Sequence, residues 1–256
     1  FNINGVLYNF EIAGMLDELK VAAKPHLDYV YETWNPKRGV GFSRQYSVPD
    51  LDDTAVGFKL LHQAGYDVDP DVFIGYEMAD RFICFPYERN PSIGVQVHLL
   101  DALRVCPAYA HQPRMVDKAL RFYRSQMRTA RWMDKWHVSP FYILSHAVVA
   151  TIGFDNDLAR EQVSCILASQ HPDGSWGYYG STREETAYCL QALMAYHRDV
   201  EPVEPSVVYH AAQYLYDNYQ SQNYPLLWID KCLYCPTQIV RSAIISALWM
   251  YEAVYG

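Results

Sequence analysis

The loop sequence Trp34-Asn-Pro-Lys-Arg-Gly39-Val-Gly41-Phe42 recurs in altered form as Gln170-His-Pro-Asp-Gly174-Ser-Trp176-Gly177. Around both loops, apolar residues recur at helical spacing, and strict alternation over six or more residues is hard to find. The repetition of one loop type between helices indicates helical hairpins that close into a ring. The sequence therefore predicts an all-α fold, an α/α barrel, rather than a four-helix bundle.

Eleven helices of ordinary length are predicted, because short segments of Pro, Gly, Asn and Asp separate the periodic stretches. Pro25, Pro70 and Pro113 are expected in first turns, and Gly65 and Gly153 at helix ends. The predicted helices lie near 6–20, 25–34, 51–65, 70–84, 92–106, 113–131, 140–152, 156–170, 182–198, 205–219 and 236–254.

The composition excludes several classes of protein. Half of the 256 residues are hydrophobic and 20% are charged, which rules out disorder and allows a large core without disulfides or metal. A net charge of -8, with no Lys/Arg run longer than two, argues against binding to nucleic acid or to an anionic membrane. The chain has neither a spanning segment nor a signal peptide, so a cytoplasmic location is expected. No linker divides residues 1–256, which predicts a single domain.

Six cysteines lie mostly alone within apolar stretches, where a thiol packs as a small hydrophobic group. Cys232 and Cys235 have the spacing of metal ligands or of a redox pair, but a second such pair or a paired histidine is missing. Because structural zinc normally needs four ligands, no metal site is predicted.

The segment Val48-Pro-Asp50-Leu-Asp52-Asp53-Thr-Ala places three carboxylates within four positions at the start of a helix. One interpretation is a helix N-terminus, with Asp50 as the cap and Asp53 reaching back as its capping-box partner. That interpretation leaves Asp52 unexplained. Clustered carboxylates and burial both disfavour ionisation, so a neutral aspartic acid here would be a plausible proton donor. The residues alone leave both interpretations open.

A second informative segment contains Gln170, Gly174 and Trp176, and is followed by Glu184-Glu185-Thr186-Ala187 on the next predicted helix. A glutamine can bond backbone groups at a helix end while the indole covers a neighbouring hairpin. This arrangement predicts a structural staple between repeats rather than a catalytic group.

These motifs carry a family resemblance. Val48–Leu61 resembles the DxDD segment of class II terpene cyclases, and Gln170–Trp176 resembles the QW motif of the same superfamily, which includes squalene–hopene cyclases. Further matching segments are Met133–Tyr142, Ser145–Ala147 and Leu227–Tyr234. Together they are similar to bacterial and fungal diterpene cyclases of the copalyl diphosphate synthase type, over roughly residues 10–252. The resemblance implies the α/α barrel called the β domain in that family.

The resemblance also implies a reaction. Members of the family protonate the terminal alkene of geranylgeranyl diphosphate and cyclise it to a bicyclic labdane- or halimane-type diphosphate, with the diphosphate retained. By position, the acid is Asp52, assisted by Asp50 and Asp53, and His98 lies where relatives place a polar partner of the acid. Relatives often carry Asn where this chain has Gln96. The alternative for His98 is a hydrogen-bonded core histidine without a catalytic role.

Substrate contacts follow in the same way from the resemblance. Lys135 lies where similar cyclases bind diphosphate, although a solvated loop lysine is the alternative. Trp136, Tyr142 and Trp228 are expected to offer aromatic faces to a carbocation in a dry cavity. In family members Mg²⁺ assists diphosphate binding, and it is expected here through the substrate.

Two absences refine these expectations. The DDxxD/E motif of class I synthases is missing, so protonation rather than loss of diphosphate is predicted. Relatives carry a second α-barrel, the γ domain, which this chain lacks. The start at Phe1 favours a fragment of a longer enzyme, and the alternative is a lone β domain that needs a partner. Other hypotheses are a non-catalytic isoprenoid-binding barrel and a drimane-forming cyclase acting on farnesyl diphosphate.

Overall fold

The computed structural model describes residues 1–45, 48–128 and 133–256. Within these residues it contains ten α-helices, one 3₁₀ helix and a two-stranded hairpin. The α-helices are α1 (Asn2–Ile12), α2 (Lys20–Thr33), α3 (Leu51–Gln63), α4 (Ile93–Leu103), α5 (Gln112–Met127), α6 (Pro140–Thr151), α7 (Asn156–Ala168), α8 (Arg183–Asp199), α9 (Pro205–Asp217) and α10 (Thr237–Tyr255). The 3₁₀ helix is Pro70–Tyr76, and β1 (Trp228–Ile229) pairs antiparallel with β2 (Leu233–Tyr234). The predicted helical architecture is confirmed.

Three predicted boundaries are wrong. Helix α1 ends at Ile12 rather than near residue 20. Gly14 takes a positive φ of 71°, and the N–H groups of Gly14 and Met15 bond back to carbonyls of the last turn, which terminates the helix. Pro25 lies inside α2 rather than in its first turn. Proline has no N–H to bond the carbonyl of Val21, and because Val21 is exposed, water can reach that carbonyl instead. Residues 77–84 are not helical. The end of the predicted helix 113–131 lies outside the described residues.

Residues 77–84 form a turn because tertiary hydrogen bonds compete with the helix. Glu77 and Phe82 form an antiparallel bridge. The Phe82 N–H donates to the buried Gln96 side chain at 3.1 Å, and the Phe82 carbonyl accepts from the same side chain at 2.8 Å. Both backbone groups of Phe82 are thus engaged outside a helix, which the local apolar pattern does not reveal.

The internal contacts divide the chain into two compact units. The first unit contains Phe1–Tyr8 and Leu16–Lys135, and the second contains Asn9–Met15 and Trp136–Gly256. The single-domain organisation stays a prediction.

In the first unit, α3 packs against α4, and α4 packs against α5. All eleven residues of α4 are buried, as expected for a helix that is covered on every side. Phe58 on α3 contacts Phe73 edge to face, with ring centres 4.9 Å apart. This core holds the first turn of α3, which carries the acidic segment, beside α4.

In the second unit, α8 is the central helix and packs against α6, α9 and α10. Its residues from Arg183 to Tyr196 are all buried, including three charged side chains in the first turn. Buried charges need partners, so this helix start is a place where polar contacts are concentrated. Among the described residues, no helix has the length and apolar character needed to cross a membrane.

Candidate active site

The acidic segment caps α3 in part as predicted. Asp50 has an extended backbone and accepts the Asp53 N–H at 2.8 Å through Oδ1, which is the geometry of an N-cap. The prediction that Asp53 is its capping-box partner is wrong. The Asp50 N–H donates to Val40 O at 3.0 Å, and the buried Asp53 carboxylate accepts from Asn4 Nδ2 at 3.1 Å instead. Asp52 takes no part in this capping arrangement.

Asp52 instead meets a histidine from α4. Its Oδ1 lies 2.7 Å from His98 Nδ1, so a hydrogen bond joins two residues that are 46 positions apart in sequence. The His98 side chain is only 4% exposed, whereas that of Asp52 is 24% exposed. The carboxyl group is therefore oriented by a buried imidazole and stays accessible from outside the first unit's core.

Charges around His98 favour its protonated form. Burial is the largest influence and opposes the charged imidazolium, but the charge and hydrogen bond of Asp52, together with the charges of nearby acids, raise the pKa of His98 above its usual 6.5. Asp134 and Asp101 act in the same direction, and the Tyr8 ring meets the imidazole edge to face at 5.5 Å. Asp101 is itself ionised: burial opposes its charge, but Lys59 at 2.7 Å, together with Arg104 and the Tyr8 hydroxyl, lowers the pKa of Asp101 to about 2.

The pKa of Asp50 is raised well above its usual value. Burial is the largest cause, and the charges of Asp53 and Asp52 add to it, against the Asp53 N–H bond that lowers the pKa. Burial and the two neighbouring charges therefore disfavour ionisation of Asp50, which is the effect expected where carboxylates are clustered.

The raised pKa of His98 predicts a pH-dependent stability. The folded state binds this proton more tightly than the unfolded chain, so the stabilising contribution is complete below pH 6.5 and is lost as pH rises through the folded-state pKa. We expect the free energy of unfolding of the native chain, relative to His98→Gln, to fall as pH rises above about 6.5. Urea denaturation at several pH values measures this difference, and a difference that rises with pH would contradict it.

Lys135 already has a partner. Its Nζ lies 2.6 Å from Glu88 Oε1 and donates to Asn90 O at 2.7 Å, with 25% of the side chain exposed. It is therefore not a solvated loop lysine. Its role in binding diphosphate stays a prediction.

A second acid occupies the same sequence context in the second unit. The run Glu184-Glu185-Thr186-Ala187 repeats Asp52-Asp53-Thr54-Ala55. The threonine makes the same contacts in each: the Thr54 hydroxyl exchanges hydrogen bonds with the Val40 backbone, and the Thr186 hydroxyl does so with the Trp176 backbone. The predicted recurrence of the two loops therefore extends to their hydrogen bonding.

Glu184 is the buried centre of an aromatic cluster in the second unit. Its Oε1 accepts from Trp228 Nε1 at 2.6 Å and lies 3.2 Å from His137 Nε2 and 3.4 Å from the Tyr188 hydroxyl. Tyr142 completes the cluster, stacked on His137 at 4.7 Å and edge to face with Trp228 at 5.0 Å. Two of the predicted cavity residues, Tyr142 and Trp228, are thus together, and both are buried.

The hydrogen bonds assign the His137 tautomer. Its Nδ1 accepts the Ser139 N–H at 3.0 Å, so the ring proton is on Nε2 and points to Glu184. Within the described residues, the other Glu184 oxygen, Oε2, is buried without a hydrogen-bond partner. The family resemblance implies no role for Glu184. The repeated acid-acid-Thr-Ala run nevertheless indicates that Glu184 occupies the position equivalent to Asp52.

The Trp228 indole should matter for stability. We expect Trp228→Phe to lower the free energy of unfolding by about 1–3 kcal/mol, because Glu184 would lose its shortest donor in a buried setting. The matched control is Trp249→Phe, since that indole is 40% exposed on α10. Urea denaturation compares the two, and equal losses would contradict the importance of the Glu184 contact.

Trp136, the remaining predicted aromatic, is partly buried at the start of the second unit. Its carbonyl accepts the Ile229 N–H of β1 at 2.9 Å. Its backbone thus supports the hairpin that carries Trp228, and its role toward substrate stays a prediction.

The QW residues join α7 to α9. Gln170 Nε2 donates to Gly174 O at 2.9 Å and to Val207 O at 3.0 Å, and Trp176 Nε1 donates to Ile166 O at 2.7 Å. At Gly174 φ is +84°, and an added Cβ would lie 2.5 Å from a carbonyl of α9. These contacts are those of a structural staple.

The Cys232 and Cys235 thiols are both free. Burial raises the pKa of Cys235 to about 12, with the Glu184 charge adding to it, so this thiol is a poor nucleophile. Among the described residues, no group of three or more His, Cys, Asp or Glu side chains is arranged to hold a metal ion. A cavity of about 260 Å³ in the first unit, lined by residues including Asn4 and Val40, includes neither Asp52 nor His98 in its walls.

Known proteins with similar sequence and structure define the class. This chain is a class II terpene cyclase-like protein, as the motifs predicted. No family model matches it. A type B diterpene cyclase of Mycobacterium tuberculosis is 37% identical over 232 residues, which cover 89% of this chain and 46% of that protein. An ent-copalyl diphosphate synthase of a Streptomyces species is 33% identical over 211 residues, which cover 78% of this chain and 40% of that protein.

A solved structure agrees with these relatives. The ent-copalyl diphosphate synthase from Streptomyces platensis superposes with a TM-score of 0.83 and 31% identity, over 98% of this chain and 50% of that one. This likeness confirms the predicted all-α, barrel-like fold class. The chain spans about half the length of the relatives it matches.

Proposed function

We propose that this chain supplies the acid-bearing half of a class II diterpene cyclase. Asp52 transfers its carboxyl proton to the terminal alkene of geranylgeranyl diphosphate, and the resulting carbocation is attacked by successive alkenes of the same molecule. A final proton loss, to a base supplied from outside this chain, gives a bicyclic diphosphate, and the bond to the diphosphate stays intact throughout. The observation that carries this proposal is the 2.7 Å pair of a buried His98 with a partly exposed Asp52.

His98 supports the proton donor on both sides of the transfer. Before it, the hydrogen bond fixes the orientation of the Asp52 carboxyl group. After it, the imidazole stabilises the carboxylate that remains, because the surrounding acids favour positive charge on this ring. Asp50 contributes by capping the turn of α3 that carries Asp52, because its side chain accepts the Asp53 N–H at 2.8 Å.

The cation needs aromatic surfaces and the diphosphate needs a positive charge. Tyr142 and Trp228, together with Trp136, are proposed to face the carbocation, because ring quadrupoles attract positive charge in a dry environment. Lys135 is proposed to meet the diphosphate. Since the described residues show no arrangement of three metal ligands, Mg²⁺ is proposed to arrive bound to the diphosphate rather than to a site of this chain.

The matching relatives are about twice as long as this chain, which supports a further element of the proposal. A γ domain, from a longer form of this protein or from another chain, would complete the active site. The names of the relatives, which include copalyl diphosphate synthases and a diterpene cyclase, support a twenty-carbon substrate.

The test is a product assay. The chain, alone and mixed with the half of the mycobacterial relative that it does not match, is incubated with geranylgeranyl diphosphate and Mg²⁺, treated with phosphatase and analysed by mass spectrometry. We expect a bicyclic diterpene alcohol in at least one mixture. A drimane alcohol formed only from farnesyl diphosphate would overturn the substrate assignment. Prenyl diphosphate binding with no cyclic product in either mixture would favour a non-catalytic binding barrel.

A further inference from the structure

The first turn of α3 is held by a backbone segment that no sequence motif marks. The leading N–H groups of a helix lack partners within the helix. Here the Leu51 N–H, directly before Asp52, donates to Cys84 O at 2.8 Å. Cys84 belongs to the segment Phe82–Glu88, which we call the strap. The position of the strap therefore affects the turn that carries Asp52.

A buried glutamate fastens the C-terminal end of the strap. Glu88 Oε2 accepts the Cys84 N–H at 2.8 Å, and Glu88 Oε1 meets Lys135 Nζ at 2.6 Å. The Glu88 side chain has no exposed surface. A buried carboxylate with a cation on one oxygen and a backbone donor on the other is a rigid connection.

The N-terminal end of the strap is fastened by α4. Gln96 bonds both backbone groups of Phe82, and Gln96 is fully buried one half-turn before His98. The strap is thus fixed at one end to the helix that carries His98 and at the other end to Lys135. Between these ends it caps the helix that carries Asp52.

The strap contains one strained residue. Tyr87, next to Glu88, has a φ of +67° although it is not glycine. Its side chain is 98% exposed, so packing of the ring does not offset the backbone strain. Backbone strain of this kind persists where surrounding contacts impose it. The nearest such contacts are the two made by the neighbouring Glu88, with the Cys84 N–H and with Lys135.

We propose that Glu88 is a positioning residue for the acid. It holds the strap, and the strap carbonyl at Cys84 sets the first turn of α3, so that Asp52 meets His98 at hydrogen-bonding distance. On this view Lys135 acts on the acid through Glu88, in addition to any contact with diphosphate. The inference rests on the proposed function for its kinetic consequence, whereas its structural consequence does not depend on turnover.

The structural test uses the His98 side chain as a reporter. Glu88→Gln and Lys135→Met are compared with the native chain by NMR of the ¹⁵N-labelled imidazole. We expect both variants to shift the His98 signals and to lower the His98 pKa, because the Asp52 contact loosens. Asp28→Asn, which breaks the exposed pair with Lys24, is the matched control and should leave His98 unchanged. Native-like His98 signals in folded Glu88→Gln would overturn the proposal even if the native chain forms no product.

The kinetic test separates positioning from diphosphate binding. In the mixture that forms product, we expect Glu88→Gln and Lys135→Met each to lower kcat by about 10- to 100-fold, and the double variant to be no worse than the poorer single variant. If Lys135→Met only raised KM and Glu88→Gln stayed fully active, Lys135 would act only by binding diphosphate, and the proposal would be overturned. Absence of product with the native protein would count against the proposed function, while the His98 signals would still decide the role of Glu88.

Discussion

Asp52→Asn is expected to lower the rate of bicyclic product formation by at least about 10³-fold, because the amide cannot donate a proton of comparable acidity to an alkene. The substitution keeps the size of a side chain that takes no part in capping α3 and is partly exposed. The free energy of unfolding should fall by about 1–3 kcal/mol, because the charge that pairs with the buried His98 is lost while the cap of α3 is kept. Product analysis and urea denaturation of the same preparations measure the two quantities.

Asp50→Asn provides the matched control for this experiment. Asparagine caps helices about as well as aspartate, so the bond from the Asp53 N–H should survive. We expect a much smaller loss of rate, because Asp50 supports the acid by capping its helix turn, which asparagine also does, and does not contact His98. Full activity of Asp52→Asn, or an equal loss in Asp50→Asn, would contradict the assignment of Asp52 as the proton donor.

Trp176→Ala is expected to be the most destabilising of the substitutions considered, with a loss of about 3–5 kcal/mol in the free energy of unfolding. The side chain has no exposed surface, and its indole N–H satisfies the Ile166 carbonyl at 2.7 Å. Truncation would leave a large cavity between α7 and α8 and an unpaired buried carbonyl. Urea denaturation followed by circular dichroism measures the loss.

Two further variants identify the source of that loss. Trp176→Phe keeps much of the volume but removes the donor, so a loss of about 1–3 kcal/mol is expected. Trp249→Ala removes an exposed indole on α10 and should cost far less. If Trp176→Ala cost less than about 1 kcal/mol, the staple interpretation of this segment would be wrong.

Helices were the most predictable feature, because their apolar periodicity and their caps are local properties. Thr182 and Ser139 cap α8 and α6 as short polar side chains do, and Pro205 opens α9. The prediction for residues 77–84 was wrong because a distant side chain competed with the helix. Gln96 takes both backbone groups of Phe82, and nothing near Phe82 in the sequence indicates this.

The candidate site was only partly predictable for the same reason. The spacing of Asp50, Asp52 and Asp53 showed that one carboxylate was not needed for capping, and the family resemblance pointed to His98. Neither indicated that Lys135 would be paired with a buried Glu88. Glu184 was detectable in principle, since its acid-acid-Thr-Ala run repeats that of Asp52.

The residues alone are enough to predict the all-α class, the position of the acidic turn and the side chains able to act as acid, staple and aromatic surface. These features depend on periodicity, spacing and side-chain chemistry, which are local. Packing between distant segments brings His98 to Asp52, places Trp228 and His137 on the Glu184 carboxylate, and lets Glu88 fasten the strap. Each of these contacts joins residues on separate elements, and the charge and hydrogen-bonding state of a buried group depend on which neighbours the packing brings to it.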